Sequence, residues 1–300
     1  MKPTAAVFKR PVLLIVGCGD VGLRVVELLQ GRWRVLALSS SPARWPELRA
    51  AGVMPLAGNL DEPRSLDRLA GLADAVLHLA PPPLQGRTDP RTRHLLQALA
   101  RRRPPSRLVY GSTSGVYGDC GGARFDETRP TRPDTDRARR RVDAEGTVRR
   151  AGRAWGLSVS ILRIPGIYAT DRVGGHPRDR VQRGAPVLRA EDDVYTNHIH
   201  ADDLARACVA ALLRGRPQRA YHVADEGEKT MGDHFDAVAD RYGLQRPPRI
   251  SLDQARQQLS PMQLSFMGES RRLDNRRMKE ELRLRLRYPT VAEGLAADGA

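Results

Sequence analysis

The stretch "LLIVGCGDVGLRVVELLQ", residues 13–30, constrains this chain more than any other. An apolar run of strand length ends in glycines at 17, 19 and 22, and a helical pattern follows at once. In a G-x-G-x-x-G turn the first glycine permits the tight bend. The second lets a diphosphate approach the backbone, and the third lets the helix pack on the strand. The helix start presents free N–H groups and a partial positive charge to the turn. The spacing therefore predicts a dinucleotide cradle at Gly17, Gly19, Asp20, Val21 and Gly22.

The rest of the first half continues the alternation. Strands are expected at 12–16, 34–38, 53–56, 75–79, 107–110 and 158–162. Helices are expected at 21–30, at 91–103 before Pro104 and Pro105, and at about 135–155. In the last, Ala144, Val148, Ala151 and Trp155 recur at helical spacing as a buried stripe. Strands alternating with helices imply an α/β fold with a doubly wound parallel (Rossmann) sheet. The dinucleotide domain is expected over residues 1–165. A smaller C-terminal α/β substrate lobe over 166–300 packs with it as one unit.

The net charge of +15 is carried by arginine, since all but four of the 50 basic residues are arginines. They are spread along the chain and aromatics make up only 5%, so a solvated basic surface is expected rather than a nucleic-acid partner. Cys18, Cys120 and Cys208 are too far apart for a metal site or a disulfide framework, which fits a reducing cytoplasm. The opening residues look like a signal peptide, but the apolar run from Val12 leads straight into the glycine turn and reads as a strand. No run is long enough to span a membrane.

At the end of the second strand, where an acid would bind a ribose 2′-hydroxyl, the chain reads Ser39, Ser40, Ser41 and then Arg44. Hydroxyls and a guanidinium suit a 2′-phosphate, so NADP is expected in preference to NAD. Ser41 before Pro42 also reads as a helix cap.

Further motifs carry a family resemblance. "GNLDEPRSL" resembles a third-strand "GDLxDxxSL", with Asn59 for the acid. "AVLHLAPPP" is similar to "VVHLAA", "LVYGSTSGVYGD" to "SSxxVYG", "ILRIPGIYA" to "LRxxxxYG" and "NHIHADDLARA" to "xxVHVDDLAxA". Nearly end to end, the chain resembles the extended short-chain dehydrogenase/reductase superfamily. Within it, the NAD-dependent epimerase/dehydratase group and an atypical YeeZ-like subgroup match best.

The resemblance implies adenosine contacts along Ser39, Ser40, Arg44, Asn59 and Leu60. It implies nicotinamide contacts near Leu79, Ala80, Thr113 and Pro165. It aligns Thr113 with the family's catalytic hydroxyl, and Arg137 and Arg141 with its proton-relaying tyrosine and its lysine. Arginine stays protonated and cannot relay a proton. Arg141 can still bind ribose or phosphate as a fixed cation. Tyr117, Tyr168 or water is then the candidate proton donor. His200 has a structural task, and Asp202 and Asp203 read as a helix cap and a first-turn acid. His176 and Arg178, in a glycine-rich loop with Arg172 and Arg180, are candidate contacts to an anionic small-molecule substrate.

The expected activity is that of an oxidoreductase or epimerase-like enzyme with an atypical active site. A dinucleotide-sensing regulator that acts through a protein partner is the alternative. No metal site is expected. The resemblance implies a homodimer paired through the helices after the fourth and fifth strands, as relatives often pair, and the arginine crowding on the second of these helices opposes it unless acids face it.

Overall fold

The protein is described from a computed structural model that covers residues 10–297. The signal-like opening before Arg10 lies outside the described residues. In chain order the strands are β1 (Val12–Val16), β2 (Arg34–Ser39), β3 (Met54–Ala57), β4 (Ala75–His78), β5 (Arg107–Thr113), β6 (Arg124–Phe125) and β7 (Ser158–Ile164). They continue with β8 (Gly166–Tyr168), β9 (Val187–Leu188), β10 (His198–His200), β11 (Arg219–His222), β12 (Arg249–Ile250) and β13 (Arg272–Leu273). The first six helices are α1 (Asp20–Leu29), α2 (Trp45–Ala50), α3 (Pro90–Ala100), α4 (Asp136–Trp155), α5 (Pro177–Gln182) and α6 (Ala201–Arg214). The others are α7 (Met231–Arg241), α8 (Leu252–Gln258), α9 (Pro261–Met267), α10 (Arg276–Glu281) and α11 (Val291–Ala296).

One seven-stranded sheet runs in the order β11-β7-β5-β4-β1-β2-β3, with every pair parallel. Both faces are covered, and β1 is apolar throughout with all five of its residues buried. Val25, Val26 and Leu29 of α1 and Leu204, Cys208 and Leu212 of α6 fill one face. Leu95 and Leu99 of α3 and Ala144, Val148 and Ala151 of α4 fill the other. Thr135 caps α4, its hydroxyl accepting from the Ala138 N–H, and Gly156 ends the helix in the left-handed conformation.

Two expectations shift. β5 runs three residues beyond 107–110, because Gly111, Ser112 and Thr113 pair with Leu162, Arg163 and Ile164 of β7. Glycine, serine and threonine in sequence read as a strand end, but a central strand position overrides that propensity. Residues 166–300 are also not all a separate lobe: α6 packs on α1, and β11 forms the sheet edge beside β7. The lobe proper holds β9, β12, α5 and α7 to α9, while the small parallel pairs β8–β10 and β6–β13 tie it to the sheet.

Much of the positive charge is met inside the molecule. Arg24 alone pairs with Asp20, Asp171 and Asp202, and Arg219 and Arg246 pair with Glu281 and Asp240. All three cysteines are buried and free, and burial pushes the Cys18 thiol up to about 11. Among the described residues no helix is long and apolar enough to cross a membrane, and no cluster could hold a metal ion.

Buried titratable groups set the expected pH response. Burial holds His78 and His222 neutral, down at about 3, and also holds His234 well below its ordinary range. Burial pushes Asp225 up to about 8. The lowered histidines contribute stability that is present above their unfolded range near 6.5 and lost as pH falls. The raised Asp225 contributes stability that is present in acid and lost as pH rises through about 8. Denaturant titrations should therefore show maximal stability near neutral pH. Below pH ~6 stability should decline by about 1.4 kcal/mol per pH unit for each net proton taken up. Asp225→Asn should remove the decline between neutral pH and pH ~8, and an unchanged decline would contradict this assignment.

Candidate active site

The glycine turn lies where the strand order reverses between β1 and β4, at the carboxyl end of the sheet. The Val16 carbonyl accepts from the N–H groups of Leu79 (2.7 Å) and Ala80 (2.9 Å), which draws the two strand ends together. Gly17 has φ +88°, and a Cβ there would lie 2.4 Å from the Ala80 nitrogen. A Cβ on Gly19 would meet nothing within 4 Å, so that backbone is open to the cleft. A Cβ on Gly22 would press on the Cys18 sulfur at 3.2 Å. These are the bend, the bare approach and the close packing that a diphosphate cradle needs.

Two cavities flank the turn. One, of about 240 Å³, is lined by Ser39, Ser40, Arg44, Asn59, Leu60, Ala80 and Arg91. Ala80 thus lines this cavity and not the one on the other side of the turn. Ser39 Oγ accepts from the Ser41 N–H at 3.3 Å. Ser41 precedes the short turn at Pro42–Arg44, but its side chain makes no capping bond. Arg44 donates to the Cys18 carbonyl at 2.9 Å and to Glu47 at 3.1 Å. Asn59 accepts from the Asp61 N–H and donates to Glu62, which shapes its own loop.

The other cavity, of about 270 Å³, is lined by Gly17, Gly19, Asp20, Val21, Gly22, Leu79, Thr113, Arg137, Arg141, Pro165 and Arg172, among others. Arg141 donates to the Gly111 carbonyl at 2.7 Å and to the Tyr110 hydroxyl at 3.1 Å, which fixes its guanidinium against the end of β5. Thr113 Oγ1 accepts from the Gly115 N–H at 3.2 Å.

Thr113, Arg137, Pro165, Ile167 and Arg172 also line a third cavity of about 400 Å³, which extends toward the lobe. Arg180, Tyr195, Asn197, Phe235, Glu269 and Arg271 line it further out. Arg271 is neutralised by Glu269 at 2.6 Å. Arg137 contacts the Phe266 ring at 5.4 Å and makes no hydrogen bond or ion pair among the described residues. Arg180 lies 4.8 Å from the Phe235 ring, and its buried Nε has no hydrogen-bond partner. Among the described residues neither guanidinium makes an ion pair, although Glu269 acts on Arg137 across the cavity and Arg180 Nη2 donates to the Pro186 carbonyl at 3.0 Å. The segment from Ser265 to Arg271 carries no motif, so its place in the cleft was not legible in the sequence.

Several candidates move away from the cleft. Tyr117 is 1% exposed, and its hydroxyl is held by His222 Nε2 (2.6 Å) and Arg163 Nη1 (2.5 Å). Burial pushes it up to about 12, so it is a core residue with no path to a substrate. Tyr168 is 2% exposed and donates to the Thr290 carbonyl, which removes it too. His176 caps α5 and stands against Tyr242, and Arg178 lies over the same ring at 5.4 Å. Neither lines the 400 Å³ cavity; Arg172 and Arg180 of the same segment do. His200, not an aspartate, caps α6, while Asp203 accepts from the N–H groups of Arg287 and Tyr288.

Residues 13–224 match the family model described as the NAD dependent epimerase/dehydratase family. A dTDP-glucose 4,6-dehydratase from Mycobacterium tuberculosis is 27% identical over 228 residues, which span 62% of this chain and 66% of that protein. A solved protein of unknown function from Silicibacter pomeroyi is 30% identical, with TM-score 0.80 over 96% of this chain and 97% of that one. A dTDP-glucose 4,6-dehydratase from Streptomyces venezuelae, solved with NAD bound, shares 22% identity with TM-score 0.76 over 95% and 94% of the two chains. The last likeness concerns the fold alone. With the family model covering most of its length, the chain belongs to the NAD-dependent epimerase/dehydratase family.

Proposed function

We propose that the chain binds a pyridine dinucleotide across the glycine turn and acts as an oxidoreductase or epimerase-like enzyme on a small anionic substrate. The observation that carries this reading is the shared wall. Thr113, Arg137, Pro165, Ile167 and Arg172 line both the cavity at the glycine turn and the 400 Å³ cavity beyond it. A nicotinamide ring bound at that wall supplies hydride exchange. The bare backbone at Gly17 to Gly22 would hold the diphosphate, with Ser39, Ser40, Arg44, Asn59 and Leu60 around the adenosine. Thr113 would hold a substrate oxygen through its hydroxyl. Arg137 and Arg180 would hold negative charge on the substrate, a task suited to guanidinium groups that make no ion pair among the described residues. The two dehydratases named above take dTDP-glucose, itself an anion through its diphosphate.

Calorimetry with NADPH and NADH, followed by a turnover screen of sugar nucleotides and hydroxy acids, tests the reading. Heat from a nucleotide together with turnover of an anion supports it. No heat from any pyridine nucleotide overturns it. NADP is the favoured form because Arg44 and three serines border the adenosine cavity and no acid stands in their place. Arg44→Ala is therefore expected to weaken NADPH binding by ~10-fold and leave NADH within ~2-fold. Equal losses for the two nucleotides would refute the preference.

A second reading, a non-catalytic dinucleotide sensor, is favoured by Arg137 and Arg141 at the positions where the family's proton-relaying pair stands. It requires unequal affinities for NADP+ and NADPH, because a ligand form bound equally in both states shifts nothing.

A further inference from the structure

We propose that Arg172 is a diphosphate-binding residue of the nucleotide cleft, exchanging its bond to Asp20 for one to the ligand. The inference rests on the dinucleotide reading above and adds a residue from a distant loop to it.

Arg172 belongs to the glycine-rich loop after β8, yet its Nε donates to Asp20 Oδ2 at 3.0 Å, and Asp20 is the first residue of α1. Nη1 donates to the Ile167 carbonyl at 3.3 Å. The guanidinium therefore sits at the mouth of the glycine turn, lining the 270 Å³ cavity there and the 400 Å³ cavity beyond it. The loop is anchored for this reach. Arg24 of α1 pairs with Asp171 at 2.6 Å and with Asp202 of α6 at 2.5 Å, which pins the residue next to Arg172. Gly175 leaves room for the side chain, since a Cβ there would lie 2.8 Å from Arg172 Cγ and Cδ.

Charge gives the arrangement its sense. Arg137, Arg141 and Arg172 line the inner cavity, and Asp20 is the carboxylate among the lining residues. The positive end of α1 points the same way, so a guanidinium there is poorly placed unless an anion lies between. Asp20 supplies one negative charge. A diphosphate brings two, and its oxygens match the donor fork of a guanidinium. Asp20 is not stranded by the exchange, because Arg24 Nε still holds its Oδ1 at 3.1 Å.

The test uses the full chain and ADP-ribose, which carries the diphosphate without the nicotinamide, with NADPH in parallel. Arg172→Ala should weaken ADP-ribose binding by ~10-fold or more, and Arg172→Lys should recover part of the loss. The salt dependence of binding should become shallower in Arg172→Ala. Asp20→Asn removes the competing carboxylate and should tighten ADP-ribose binding about 2- to 5-fold. A purely structural Arg172–Asp20 strut predicts the opposite sign, with both substitutions weakening binding together. That result, or an Arg172→Ala affinity equal to wild type, overturns the inference while leaving the dinucleotide reading intact. Failure of the wild-type chain to bind ADP-ribose, NADPH or NADH overturns both. Melting curves of each variant confirm that the fold is retained.

Discussion

Gly17→Ala is expected to lose about 4 kcal/mol of stability and all measurable nucleotide binding. Two costs combine. Gly17 sits at φ +88°, a conformation that alanine adopts only with strain. Its Cβ would also lie 2.4 Å from the Ala80 nitrogen and 2.8 Å from the Leu79 carbonyl carbon, both rigid backbone. Relief requires the ends of β1 and β4 to separate, which breaks the bonds from Leu79 and Ala80 to Val16. Those ends form the crevice, so binding goes with the packing. Thermal unfolding followed by circular dichroism should show a melting temperature lower by roughly 8 °C. Gly19→Ala is the companion: its Cβ meets nothing within 4 Å, so the melt should match wild type while nucleotide affinity drops. A Gly17→Ala melt that matches wild type would refute the close approach described here.

The second large effect is expected below the site. Glu145 of α4 and Arg163 of β7 form an ion pair at 2.8 Å, each side chain only 6% exposed. Ser112 Oγ donates to Glu145 at 2.7 Å, and Arg163 also donates to Tyr117. This network locks α4, and with it Arg137 and Arg141, to the strand ends that carry Thr113. Removing one partner leaves a buried charge without compensation, so Glu145→Ala and Arg163→Ala should each cost about 3–5 kcal/mol. The double replacement Glu145→Leu with Arg163→Met should cost far less than the sum. Chemical denaturation of the two single variants and the double variant measures this. Additive losses would show that the pair is not coupled.

The cradle was legible because its logic is local. Three glycines at fixed spacing, an apolar run before them and a helical pattern after them have one common solution. The glycines and Thr113 line the cavity at the turn, and Ser39, Arg44 and Asn59 line the one beside it. The far side of the cleft was only half legible. "GGHPRDR" pointed to an arginine-bearing loop, but which arginines face inward depends on how Tyr242 of the lobe packs, and that ring takes Arg178 and His176. Tyr117 was misread for a similar reason. Its position after β5 suggests a cleft residue, and only the return of β11 with His222 makes it core. Glu269 and Arg271 reach the cleft from near the chain end, through contacts that no local pattern announces.

The placement of α6 and β11 also shapes how the molecule comes into being. While a ribosome has delivered only the first 165 residues, Leu13, Ile15, Leu77 and Val109 lack the layer that Leu204, Cys208 and Leu212 later provide. Met278 and Leu282 join that same cluster still later. Until α6, β11 and α10 are in place, that face of the sheet is an open apolar surface, the kind of surface on which partly folded chains associate.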